Sequence, residues 1–507
     1  MNSAFALAVV LAQAAPAAAR QDPAPDVAVT VYSAADPGSF NPQQFIDQQR
    51  AGWDPQAAWS VPGFGVVRER RRLAIPKGTG WVAFEDVAQF LDPTTVQFTD
   101  LDDPSTRVLE QRMEFDLVNG AKLMQKYLDQ DVIIRIPSGD LFVEAEGRLL
   151  SATQGQAVLR TSEGIEIIPT GGAIIRLASL PEGLRTRPTL LWHLTSPEGG
   201  QHAVRIEYMT GGLTWRADYN LAVAADERSA TLSAWVTLLN VSGATWRNAD
   251  LRLIAGSVRR VTGRQRPVPA AAKLRKAQEM DGGFAEESFG EYHRYTLGFP
   301  VDLPANSTQQ LTLFPPATKV AVRKELVYDG SYAGGFDAQP NLNPSEWDSG
   351  GGAVKVWILA DNTEAGGLGM PLPAGKVRVL QADAAGSSEF VGEDLIGHTA
   401  RGANIRLNIG DSFDVTGARK RTDFRVDTSR RSAMETMEIR IRNGKKVAQE
   451  VVIRERLWRW STWAVSGATV DGKPVEPVKV DASTIEQKVT VPAEGSATFT
   501  FTATYTW

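Results

Sequence analysis

Tyr208-Met-Thr-Gly-Gly-Leu-Thr-Trp-Arg-Ala-Asp-Tyr219, Leu232-Ser-Ala-Trp-Val-Thr-Leu-Leu-Asn-Val-Ser-Gly243 and Asn248-Ala-Asp-Leu-Arg-Leu-Ile-Ala-Gly256 decide the fold class of this chain. The three stretches read as strands, and Gly211-Gly212 and Asn240-Val-Ser-Gly243 read as the corners between them. A strand with one buried face needs an apolar period of two. That alternation recurs in Ala203 to Tyr208, Tyr295 to Leu303, Gln309 to Phe314, Ala353 to Leu359 and Val377 to Leu380. It continues in Asn404 to Ile409, Met437 to Arg442, Ala448 to Arg456 and Ala497 to Tyr505. Residues 189–507 are therefore expected to form β-sandwich modules, two of them, split near 320–350. Trp215, Tyr219, Trp235 and Trp246 are candidates for their core, and Trp235, in an alternating strand, is read as core.

Three strands end at an asparagine: Trp235 to Asn240, Val356 to Asn362 and Met437 to Asn443. Asparagine suits such a corner because it tolerates the left-handed region and bonds nearby backbone. The pattern fits a weak internal repeat and equally fits ordinary hairpin chemistry.

Upstream, residues 131–182 hold five short apolar runs separated by Gly- and Pro-containing breaks. Five strands after a helix is the layout of a small SH3/Sm-like barrel. The helix is expected over Leu117 to Leu128, where Leu117, Ala121, Met124 and Leu128 recur at helical spacing. Residues 66–130 read as an N-terminal β segment carrying that helix. Residues 20–65 read as a linker or irregular segment, with Val27 to Tyr32 a candidate strand. The expected fold is thus mainly β and multi-domain: sandwich modules, a small barrel and one short helix before it.

Residues 1–19 read as a signal peptide. Ala4 to Ala12 is an unbroken apolar run, and small-residue cleavage sites lie at Ala12-Gln-Ala14 and Ala17-Ala-Ala19, although a positive leading region is missing. The expected location is periplasmic or cell-surface associated. No later segment approaches the ~20 apolar residues of a membrane-spanning helix. The 507 residues include no cysteine, which rules out disulfides, thiol catalysis and cysteine-held zinc or iron–sulfur centres. A net charge of −5 argues against nucleic acid as a partner.

Chemistry-bearing motifs are sparse. The four histidines, His193, His202, His293 and His398, form no His-x-x-x-His pair. Glu393-Asp394 with His398 is the densest polar cluster, and Asp383, Asp411 and Asp414 could converge on it. It reads either as a site for metal-assisted hydrolysis or as a turn whose carboxylates bond backbone N–H groups. No Gly-x-Ser-x-Gly elbow is present, and Gly366-Gly-Leu-Gly369 lacks the Lys-Ser/Thr of a phosphate loop. Trp458-Arg459-Trp460, read as a strand, puts both indoles on one face with Arg459 opposite. The pair is then either an exposed platform for sugars or part of a core. Two insertions, Val258 to Gly290 and Ala333 to Gly352, are long enough to be functional or mobile; the first opens with a basic run. No metal or cofactor is expected.

The block from Tyr208 to Gly256 resembles the signature of the domain-of-unknown-function 4139 family, the group that includes mucoidy-inhibitor-A-like proteins. Gly375-Lys-Val-Arg-Val-Leu-Gln-Ala-Asp383, Phe390-Val-Gly-Glu-Asp-Leu-Ile-Gly-His-Thr399 and Gly410-Asp-Ser-Phe-Asp-Val415 match the same pattern, as do Glu110-Gln111, Phe115-Asp-Leu117 and Leu180-Pro-Glu-Gly-Leu184 upstream. The resemblance implies an exported or envelope-associated bacterial β-protein and supplies no catalytic residues. Many relatives carry a long coiled coil where this chain has only the helix and the five short strands. The expected function is a noncatalytic structural or interaction protein of the bacterial cell envelope. Binding of envelope polysaccharide, through Trp458 and Trp460, and metal-assisted hydrolysis, through Glu393, Asp394 and His398, are the alternatives.

Overall fold

The structure, a computed structural model, describes residues 26–33, 41, 47, 61–114, 120–138, 141–153, 155–179, 181, 184–256, 258, 284–330, 339–344, 349–383 and 385–507. The expected signal peptide and residues 259–283 of the basic insertion lie outside the described residues. So do 333–338 and 345–348 of the second insertion.

Strands dominate and group into four sheets among the described residues. An eight-stranded sheet runs Phe284–Phe289, Tyr292–Leu297, Trp246–Ala255, Val27–Tyr32, Phe64–Ile75, Gly200–Thr210 and Leu91–Asp100, with Val301–Leu303 added on Trp246–Ala255. Val27–Tyr32 therefore sits well inside a sheet, parallel to Trp246–Ala255 and antiparallel to Phe64–Ile75, so the 20–65 segment is not all linker. Gly78–Glu85, Thr189–Ser196 and Arg107–Glu114 make a three-stranded sheet. Its central strand has the burial period of two, with Leu190, Trp192 and Leu194 turned inward.

The described part of the helix is Gly120–Lys126; Leu117 lies outside the described residues, and the helix ends before Leu128, which is 40% exposed. Tyr127 takes the buried place instead, its hydroxyl donating to the Ser179 carbonyl at 2.6 Å and accepting from the Ser179 N–H at 2.8 Å. The five strands after it are all present. They run Ile174–Arg176, Asp131–Ser138, Leu141–Thr153, Gln156–Thr161 and Gly164–Pro169 across one sheet. The sheet stays open rather than closing into the expected barrel. The last strand is only three residues long, its neighbour in sequence ends at Pro169, and the two do not pair. Both remain edges, and Ile165 and Ile167 stand exposed on one of them.

The fourth sheet has fourteen strands and carries the rest of the chain. Its axis is Leu213–Val223, Ser229–Asn240, Ser307–Asp329, Ser349–Asp361, Asn404–Asp427, Ser432–Asn443 and Ser496–Thr506 in that spatial order. Ser307–Asp329 crosses from one apolar core to another. Its first part pairs with Ser229–Asn240; its last part pairs with Ser349–Asp361 and, in parallel, with Gln449–Arg456. Leu313 and Phe314 belong to the first core, Leu326 and Tyr328 to the second.

The three asparagine strand ends are one corner built three times. Asn240 Nδ2 donates to the carbonyls of Ala244, Leu303 and Pro304 at 3.0, 3.1 and 3.0 Å, while its Oδ1 accepts from the Ser242 N–H at 3.1 Å. Asn443 Nδ2 reaches Val447, Val491 and Pro492 at 2.9, 3.4 and 2.9 Å, and its Oδ1 accepts from the Lys445 N–H at 2.9 Å. Asn362 Nδ2 reaches Met370, Thr399 and Ala400 at 2.7, 3.5 and 3.0 Å, with Oδ1 facing the Gly369 N–H at 3.1 Å. All three amides are buried. Two residues after each accepting Pro304, Ala400 or Pro492, the chain turns through a left-handed residue: Asn306, Gly402 or Glu494, with φ of 53°, 84° and 51°. A planar amide offering donors on one side and an acceptor on the other joins two backbone segments that the sheet ladder leaves unpaired there.

Candidate functional site

Glu393, Asp394 and His398 do not share a site. Strand Ser388–Ile396 pairs with Gly375–Ala382, with Glu393 opposite Arg378 and Asp394 opposite Val377. Successive strand residues face opposite sides, so the two carboxylates diverge. Glu393 takes Lys376 Nζ at 2.7 Å and lies 3.7 Å from Arg378 Nε. Asp394 accepts from the backbone N–H groups of Leu395 at 2.8 Å and Asn408 at 2.7 Å, which fastens this strand to Asn404–Asp427. Gly392 allows that approach, since a Cβ there would lie 2.4 Å from the Ile409 carbonyl oxygen. His398 follows the strand, and its Nδ1 accepts from the Ala374 N–H at 3.2 Å. Desolvation, helped by His293, holds its pKa below the ordinary histidine value. Asp383 bonds the N–H groups of Ala385 and Ser387 in its own turn. No three His, Asp or Glu side chains among the described residues are placed to hold a metal ion together.

Trp458 is buried, and so is Arg459 between the two indoles. The strand ends at Arg456, so the alternation that would put Arg459 opposite its neighbours does not extend this far. Trp460 is half-buried against the C-terminal core. Trp235 goes the other way. Ala234, Val236 and Leu238 take the core face of their strand, and the period of two leaves Trp235 37% exposed on the opposite one.

Arg459 leads to a charged network that the sequence reading missed. Its Nε donates to Glu435 at 2.7 Å, and its Nη1 donates to the Asn341 and Asn343 carbonyls, both at 3.1 Å. The guanidinium lies over Phe424 and Trp458, 4.5 and 4.7 Å from their ring centres. The other Glu435 oxygen accepts the Tyr505 hydroxyl at 2.7 Å. A second pair lies close by: Arg419 donates to Glu455 through Nε at 2.8 Å and approaches through Nη2 at 2.7 Å. All four charged side chains are buried. Burial pushes the Glu455 carboxyl up, and Arg419 offsets this only in part. Burial, together with Glu455, raises Tyr328 to about 12. The network also anchors the second insertion: Asn341 donates its N–H to the Arg459 carbonyl at 3.0 Å, and Arg421 bonds the Pro344 carbonyl.

The tightest carboxylate–imidazole pair is Asp100 with His202, Oδ2 to Nδ1 at 2.6 Å, both buried. Burial pushes Asp100 up. Hydrogen bonds from His202, Asp103, Thr106 and Asp102 outweigh that and leave it below the usual carboxylate range. The pair closes the 100–106 turn against Gly200–Thr210. Both partners were in view in the sequence, but 102 residues separate them.

The solvent side of the fourth sheet holds a groove of about 480 Å³ over strands Asn404–Asp427, Ser432–Asn443 and Ser496–Thr506. Arg440 and Arg442 line it, two residues apart on one face, with Thr416, Glu494 and Ser496 around them. Arg440 donates to the Ser496 hydroxyl at 3.2 Å. Neither arginine has a carboxylate partner among the described residues.

Among the described residues no helix is long and apolar enough to cross a membrane. No curated protein matches the chain. The model of one family, described as "Domain of unknown function (DUF4139)", matches residues 204–507, which take in the three asparagine corners, the charged network and the groove. The chain belongs to the DUF4139 family.

Proposed function

We propose that the chain is a noncatalytic structural or interaction protein of the bacterial cell envelope. One observation supports this reading most. The polar side chains that the sequence offered for chemistry are engaged in fastening strands, Asp394 on two backbone N–H groups, Glu393 on Lys376 and His398 on Ala374, as are the three asparagines on their corners. Export through the apolar N-terminal segment, and a periplasmic or surface location, are part of the same proposal. So is kinship with the mucoidy-inhibitor-A-like members in a short form without the long coiled coil. The test is crosslinking and pull-down of the mature protein from native envelope. A specific protein or glycan should be recovered, and repeated recovery of neither would overturn the reading. An Asp394→Ala/His398→Ala variant should keep its metal content and leave the cellular phenotype unchanged; loss of phenotype in a folded variant would reinstate the hydrolase.

Polysaccharide binding is the second reading. The groove of Arg440 and Arg442 favours it, whereas the buried Trp458 does not.

A further inference from the structure

We propose that the Arg440–Arg442 groove binds the carboxylated sugars of an acidic polysaccharide, an inference that rests on the polysaccharide-binding reading above. The two guanidiniums project from one face of strand Ser432–Asn443. At about 3.3 Å of rise per residue, their Cα atoms lie roughly 7 Å apart. Such a pair presents two forked donors side by side, a geometry that matches planar carboxylates. Arg440 bonds the Ser496 hydroxyl, and neither arginine has an ion pair among the described residues. Their charge therefore faces the groove uncompensated by an ion pair.

The remaining lining narrows the class of ligand. Glu494 stands at the same groove with Thr416 and Ser496. The Glu494 carboxylate accepts hydrogen bonds from sugar hydroxyls, and the two side-chain hydroxyls can donate or accept. Gly417, Ala418 and Gly495 complete its floor. The side chain that Gly417 lacks would point to the other side of the sheet. A Cβ there would come within 2.1 Å of the Tyr328 ring. The groove floor and the buried network are thus opposite faces of the same three strands.

Isothermal titration of the full chain with a galacturonate tetramer tests the proposal, beside its carboxyl-reduced neutral counterpart and inorganic phosphate. The uronate tetramer should bind and weaken as salt is raised. An Arg440→Gln/Arg442→Gln variant should lose at least tenfold in affinity, while its unfolding transition stays in place because both side chains are exposed. Three results would each overturn the proposal: no binding by the parent chain, equal binding of the neutral tetramer, or affinity unchanged in the double variant. Phosphate binding as tight as the uronate would overturn the sugar assignment. The envelope pull-down reads the broader function separately, because a protein partner recovered there does not depend on this groove.

Discussion

The first and third asparagine corners carry the same backbone and opposite cores. Leu213 pairs with Asn240 as Val415 pairs with Asn443, and Trp246 pairs with Leu303 as Gln449 pairs with Val491. Counting along the paired strands, Ala217, Leu232 and Leu253 correspond to Arg419, Glu435 and Glu455. Apolar side chains in the first unit are thus replaced by three members of the charged network in the third. The aromatic fillers exchange too. Trp215 reaches across to Val27–Tyr32 of the eight-stranded sheet, its Nε1 donating to the Val31 carbonyl at 3.1 Å, whereas its counterpart is Gly417, over which the Tyr328 ring lies. The comparison separates what the corner needs, an amide and a left-handed residue, from what the core behind it tolerates.

The largest expected effect sits in the charged core. Glu455→Ala should destabilise the protein by about 3–5 kcal/mol, because it strands a buried Arg419. Arg419→Met/Glu455→Leu, which moves this unit toward the apolar one, should recover most of that loss in denaturant unfolding. A double variant no better than the single would break the comparison. Next come the corners. Asn240→Ala and Asn443→Ala should each cost about 3 kcal/mol, since several carbonyls lose their donor at once. Similar losses would support one corner built repeatedly; a loss confined to one unit would not. Gly417→Ala should cost about 1–3 kcal/mol through the Tyr328 clash, and should rise in stability when combined with Tyr328→Val.

The smallest effect is on pH dependence, and the two groups act with opposite signs. Asp100 has a depressed folded pKa, so its contribution is present above the unfolded carboxylate value and is lost as pH falls through the folded one. Glu455 has a raised folded pKa, so its contribution is present below the unfolded value and is lost as pH rises through the folded one. Unfolding curves from pH 3 to 8 should therefore flatten at the acid end in Asp100→Asn. In Glu455→Gln they should flatten above the unfolded carboxylate range.

Where side chains act through local period, the sequence was readable. The alternating runs became strands, and the asparagine ends became corners, because both depend on neighbours a few residues away. Trp235 shows the limit even there: period two puts it on a face, but which face is buried depends on what the sheet packs against. Trp458 and Arg459 lie past the last strand residue, where no period applies. The Arg419–Glu455 pair joins residues 36 apart on different strands, and the Arg459–Glu435 pair joins a strand to a residue 24 positions on, beyond the end of another. Closure of the five-stranded sheet depended on whether its two terminal strands would meet, which alternation within each strand does not specify.

Strand Ser307–Asp329, shared between two cores, has a consequence for how this chain can be divided. The family match starts at 204, yet Trp246–Ala255 inside it lies against Val27–Tyr32 outside it. Each unit borrows a strand from beyond its own limits, much as tiles in a woven mat lend their ends to the next. A fragment cut at 204, or within Ser307–Asp329, would leave bare edges and a half-covered core. The stretch that can be inherited, matched or aligned is therefore smaller than the stretch that can fold.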